Sequence, residues 1–154
     1  MIRIENILTP DRSLVNVSGG SKKRVLEEIA KLIGRKVPGM ASGTVFASLV
    51  AREKLGSTGF GHGIAIPHCR LADCSEPVSA VIHLATPVDF DAIDGAPVDL
   101  LFVLLVPQAA TDEHLELLRQ IASMLDDKDV RKRLRSAKSA EALYQVVLDV
   151  QNGN

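Results

Sequence analysis

The residues from Leu100 to Val106 read LLFVLLV, seven apolar side chains without a polar break. A strand exposed on one side alternates apolar with polar residues, so this run predicts a central strand covered on both faces. The rest of the chain must therefore supply two covering layers. With 154 residues and 46% hydrophobic content there is enough material for one such domain, expected over residues 1–150, with 151–154 as a C-terminal tail.

Helical spacing provides the covers. Ser21 opens a segment in which Val25, Leu26, Ile29, Leu32 and Ile33 recur on one side, with Gly34 and Pro38-Gly39 as stop signals. A second helix is expected from Gly43 to Leu55, with Val45, Phe46, Leu49 and Val50 as its stripe. Short and long strands follow at Ile64–Ile66 and Pro77–Ala85, the latter ending at Thr86-Pro87, and Asp94-Gly95 marks a turn. After Pro107, Thr111 is the expected cap of a helix presenting Leu115, Leu118, Ala122 and Leu125. A basic helix near Val130–Leu134 and a last one over Ala140–Val150, capped by Ser139, complete an α/β sandwich. The pattern alone leaves the strand order open.

Charge and composition narrow the function classes. The net charge of −1 leaves no electrostatic footprint for nucleic acid, and 3% aromatics without Trp leave little to stack on bases. Arg131, Lys132, Arg133 and Arg135 form a local basic cluster, read as a solvated helix face. No run approaches the ~20 apolar residues of a membrane span, so membrane insertion is not expected. MIRIENILTP lacks the apolar run of a secretory signal, and two cysteines, Cys69 and Cys74, suit reduced thiols in a cytoplasmic protein.

The chemistry concentrates in GSTGFGHGIAIPHCR, residues 56–70, which holds two of the four histidines. Alternation places His68 on the side of Ile64 and Ile66, while Pro67, lacking an amide hydrogen, breaks the ladder just before it. Gly56, Ser57, Thr58 and Gly59 offer small residues and amide hydrogens for an anion-binding concavity. Arg52 lies at the border of the buried face of its helix, four residues before Gly56, and its planar fork suits phosphate oxygens. Glu53 falls on the apolar stripe itself, where a carboxylate needs a partner such as the loop amides.

Glu53, six residues, Phe60-Gly61, two residues, then Ile64-Ala65-Ile66-Pro67-His68 resembles the signature of fructose/mannitol-type (type 2) EIIA proteins of the bacterial phosphotransferase system. Arg52–Gly59, Asp89–Asp94 (DFDAID) and Pro97–Leu101 (PVDLL) are most similar to its nitrogen-regulatory branch, and the likeness runs from Ile4 to Val150. The resemblance implies a mixed central sheet sandwiched by helices. It further implies a cytoplasmic phosphocarrier in which His68 accepts a phosphoryl group through Nε2 from an HPr-like phosphohistidine donor (NPr). By the same resemblance Arg52 and His114 would stabilise the phosphate; the Gly56–Gly59 loop, read from its own residues, is expected to cradle it, and neither metal nor cofactor is expected. Regulatory partners, such as potassium transporters or their sensor kinase, would read the phosphorylation state. Cys69 departs from the glycine usual after the acceptor in that branch.

Other constellations compete with this reading. A stand-alone fructose/mannitol-type sugar subunit shares the same core motif. His62, His68 and Cys74 could serve a metal-dependent hydrolase, although their spacing matches no common zinc pattern and Cys69 faces away from His68. A passive anion sensor would need no covalent chemistry. Asp89, Asp91 and Asp94-Gly95 hint at a calcium loop, but Leu100 stands where the closing glutamate belongs. His62 is expected at the pocket rim, and His83 as a satisfied structural histidine.

Overall fold

A computed structural model describes residues 2–109 and 111–154. Strand β6 (Val98–Pro107) lies at the centre, paired antiparallel to β5 (Val78–Val88) on one side. Its other edge is shared by β3 (Ile64–Ala65) and β4 (His68–Leu71), both parallel to it. β1 (Ser13–Val17) joins β5 in parallel and β2 (Gly59–Gly61) joins β3 antiparallel, so the six-stranded sheet is mixed.

The pleat of β6 divides the core. Leu101, Val103 and Leu105 point to one side, where they meet Ala80, Ile82 and the apolar faces of α1 (Lys22–Lys36) and α2 (Ser42–Lys54). Leu100, Phe102 and Leu104 point to the other, against α3 (Asp112–Leu125), α4 (Lys128–Ser136) and α5 (Ala140–Gln151). Leu100–Leu105 are each no more than 2% exposed, as a strand covered on both faces requires.

Helix ends follow the predicted side-chain caps in two cases. Ser21 Oγ accepts from the Arg24 amide at 3.2 Å, and Ser139 Oγ accepts from Ala142 at 3.1 Å. Gly34, read as a stop signal, instead lies inside α1. A Cβ there would stand 3.0 Å from Ser42 Cβ, so the glycine permits α1 and α2 to approach.

Strand β5 also outruns its expected end at Thr86-Pro87. The register slips between His83↔Leu100 and Val88↔Val98, which places Pro87 in an irregular stretch where no ladder bond is demanded of it. The buried face of α3 consists of Leu117, Ile121, Met124 and Leu125, displaced from the predicted stripe, and Leu115 is half exposed.

Two surface assignments change. Arg131 is only 9% exposed and donates to the carbonyls of Leu125 and Asp126 at 3.1 and 2.8 Å, satisfying the end of α3. Arg135 reaches Asp99 at 2.9 Å and also the His62 carbonyl, so the basic cluster is partly structural. The expected tail at 151–154 is docked as well. Gln151 belongs to α5 and accepts from the Ile4 amide, and Arg133 donates to the Asn154 carbonyl at 2.9 Å.

Candidate functional site

The break between β3 and β4 creates the site. The carbonyl of Pro67 accepts from the Leu104 amide at 2.9 Å, keeping the chain on the β6 edge although Pro67 has no hydrogen to give. His68 follows as the first residue of β4, opposite Leu104. Ile64 and Ile66 pack in the core on the α3 side, while Cys69 packs in the core under α1 and α2. Alternation thus sends the imidazole and the thiol to opposite faces.

His68 Nδ1 lies 2.7 Å from the Ile66 carbonyl oxygen. A carbonyl only accepts, so Nδ1 carries the hydrogen and the neutral ring keeps its lone pair on Nε2. Burial lowers the His68 pKa below its ordinary value and the positive charge of Arg52 adds to that, against opposing effects of the Ile66 hydrogen bond and Glu53. The result is a neutral, oriented imidazole whose Nε2 has no hydrogen-bond partner among the described residues.

That ring opens on a cleft of about 620 Å3 which Arg52, His114, Arg70, Leu55 and Leu115 also line. Arg52 Nη1 donates to the Gly56 carbonyl at 2.8 Å, which anchors one edge of the guanidinium and leaves its other donors for a ligand. His114 Nδ1 accepts from the Thr111 amide at 3.1 Å, so the proton of its neutral ring sits on Nε2. The two histidines hold complementary tautomers: His68 offers an electron pair and His114 a hydrogen. His114 also occupies the first turn of α3, where the helix dipole favours an anion.

The glycine loop behaves differently from expectation. Both Glu53 carboxylate oxygens accept from the Thr58 amide, at 3.1 and 2.9 Å, as the buried position of Glu53 demands. Ser57 Oγ donates to the Phe90 carbonyl at 2.7 Å and accepts from the Gly59 amide at 3.0 Å. None of Gly56, Ser57, Thr58 and Gly59 lines the cleft. The amide cradle is therefore turned inward, and the loop serves as a brace for Arg52 and Glu53.

His62 is likewise removed from the rim. It is exposed with φ 58°, its amide held by Asp94 Oδ2 at 3.1 Å and its carbonyl by Arg135. His83 Nε2 lies 3.3 Å from Asp99 Oδ2, the partner expected of a structural histidine. Among the described residues no group of His, Cys, Asp and Glu side chains is arranged to hold a metal ion. Burial, aided by Cys74, pushes the Cys69 thiol up to about 12, which keeps it protonated at neutral pH.

Three contributors were missed in the sequence. Arg70 is two residues beyond His68 and so shares its face, a signal available once β4 is recognised. Leu55 and Leu115, 85% and 50% exposed, place apolar surface around the imidazole. The helical spacing of Leu115 with Leu118, Ala122 and Leu125 conceals its place at the cleft.

Comparison with known proteins decides the family. The model for the phosphoenolpyruvate-dependent sugar phosphotransferase system, EIIA 2, matches residues 6–150. The chain belongs to this EIIA family. It is 75% identical over 153 residues to the nitrogen regulatory protein of Pseudomonas aeruginosa, with 99% of each chain covered. The crystal structure of the nitrogen regulatory protein IIA-Ntr from Neisseria meningitidis superimposes with a TM-score of 0.88 at 44% identity, covering 94% of this chain and 98% of that one. The mannitol IIA of Escherichia coli shares the fold, with a TM-score of 0.71 at 18% identity over 88% of this chain and 96% of that one. Both the mixed α/β architecture and the likeness to nitrogen-regulatory EIIA proteins expected from the signature residues hold. Among the described residues, no helix is long and apolar enough to cross a membrane.

Proposed function

We propose that this EIIA protein is a cytoplasmic phosphocarrier whose acceptor is His68 Nε2. The observation that carries the proposal is the Nδ1–Ile66 hydrogen bond, which leaves Nε2 unprotonated beside a cationic cleft. In the reaction the Nε2 lone pair attacks the phosphorus of a phosphohistidine on an HPr-like donor (NPr). The new N–P bond forms as the donor's N–P bond breaks, and that electron pair returns to the donor ring. A donor ring protonated at its other nitrogen leaves neutral, while His68 keeps its own Nδ1 hydrogen. Arg52 offsets charge on the equatorial oxygens and His114 Nε2–H donates to one of them. Arg70 adds a second guanidinium at the cleft.

The bound group adds about −1.5 to −2 charge to a surface edged by Leu55 and Leu115. Partners that bury those leucines then sense the phosphorylation state by electrostatics. The likeness to nitrogen regulatory proteins supports regulatory partners, including potassium transporters or their sensor kinase, over a sugar permease.

Incubation with a phosphorylated HPr-like donor in the absence of metal tests this. Wild type gains one acid-labile phosphate and His68→Ala gains none. Equal labelling of both overturns the assignment, and onward delivery of the phosphate to a sugar permease favours the transport reading.

A further inference from the structure

The half-buried ion pair between Lys22 and Glu53 lies outside the cleft, yet it begins a chain of contacts that ends on the acceptor ring. Lys22 Nζ lies 3.1 Å from Glu53 Oε1, and Glu53 holds the Thr58 amide with both oxygens. The Thr58 carbonyl accepts from the Ile66 amide at 3.0 Å. The Ile66 carbonyl accepts from His68 Nδ1 at 2.7 Å. The Glu53 side chain is 6% exposed, so its charge is committed to these partners.

Lys22 is itself fixed. Its ammonium lies 3.6 Å from Asp91 Oδ2 and 5.0 Å from the centre of the Phe90 ring. Meanwhile Arg52, the residue before Glu53, holds the other end of the same turn through the Gly56 carbonyl. Two adjacent side chains of α2 thus clamp the turn from opposite ends, one on a carbonyl and one on an amide.

We propose that Glu53, secured by Lys22, is a positioning residue for His68: it fixes Thr58, and through Thr58 the Ile66 carbonyl that selects the acceptor's tautomer. Without the clamp, Ile66 loses a restraint on its angle to Nδ1, and the ring is free to carry its hydrogen on Nε2, where it blocks attack. This rests on His68 being the phosphoryl acceptor, so the test reads tautomer and transfer separately.

Nitrogen-15 spectra of the imidazoles report the tautomer directly, without any donor protein. Wild type shows His68 hydrogen on Nδ1. Glu53→Ala shows a mixture of tautomers and a transfer rate from the phosphorylated HPr-like donor lower by about tenfold or more. Glu53→Gln keeps an acceptor for the Thr58 amide and restores both the tautomer and most of the rate. If Glu53→Ala does not fold, Lys22→Ala reads the same effect from the exposed end of the pair, with a smaller shift in the same direction. An unchanged His68 tautomer in the folded variants overturns the proposal. A changed tautomer with an unchanged transfer rate keeps the positioning and removes His68 as acceptor instead.

Discussion

The two histidines of the cleft hold opposite tautomers because different backbone groups face their Nδ1 atoms. A carbonyl faces His68 Nδ1 and an amide faces His114 Nδ1. For His68 the charged ring is disfavoured by burial first and by Arg52 next, so its pKa falls below the ordinary 6.5. The transfer rate is therefore expected to stay level as pH drops through 6.5 and to decline only beneath it, as a rate–pH profile will show. Linkage gives the matching sign for stability. Between the lowered value and 6.5 the unfolded ring binds more protons than the folded one, so the contribution is complete above 6.5 and is lost as pH falls through the folded value. Denaturant unfolding of wild type against His68→Gln over that window isolates it, with wild type the more pH-sensitive. For His114, replacement by Asn keeps an acceptor for the Thr111 amide but withdraws the Nε2 hydrogen. The hydrolytic half-life of the phosphorylated protein is expected to shorten about tenfold, and an unaltered half-life contradicts the role.

At the scale of elements, the legible parts were those set by short-range rules. Alternation placed His68, Ile66 and Cys69 on their correct faces, and the run Leu100–Val106 declared its two covers. Less legible were choices between competing partners. Two stripes of α3 fit a helical period, and packing selected Leu117 and Ile121 over Leu115 because the latter's side borders the cleft. The amides of Thr58 and Gly59 looked available, but the Glu53 carboxylate and the Ser57 hydroxyl reach them first. Arg131 looked like a surface charge, since nothing in its spacing reveals that the α3 terminus lies beneath it. Its role sets a prediction: Arg131→Ala costs about 2 kcal/mol by stranding a helix end, whereas exposed Lys132→Ala stays within about 0.5 kcal/mol. Parallel urea titrations check both, and equal effects return the cluster to the solvated face first expected.

Over the whole molecule, β6 both supports the site and divides it. Its edge carries β3 and β4 in line, with Pro67 at the gap, and α2 and α3 on opposite faces of the sheet bring Arg52 and His114 to the same end. The rest of the chain holds these three side chains in register: the Lys22–Glu53 clamp on one face, and on the other the Arg131 contact that closes α3. Under the proposed function, this arrangement supplies the orientation and the positive charge that phosphoryl transfer requires. The most direct test is phosphorus–nitrogen coupling in the phosphorylated protein, prepared with nitrogen-15 histidine. A coupling between phosphorus and Nε2 of His68, with the hydrogen still on Nδ1, is the predicted result. Phosphorus bonded to Nδ1, or to any other residue, contradicts it.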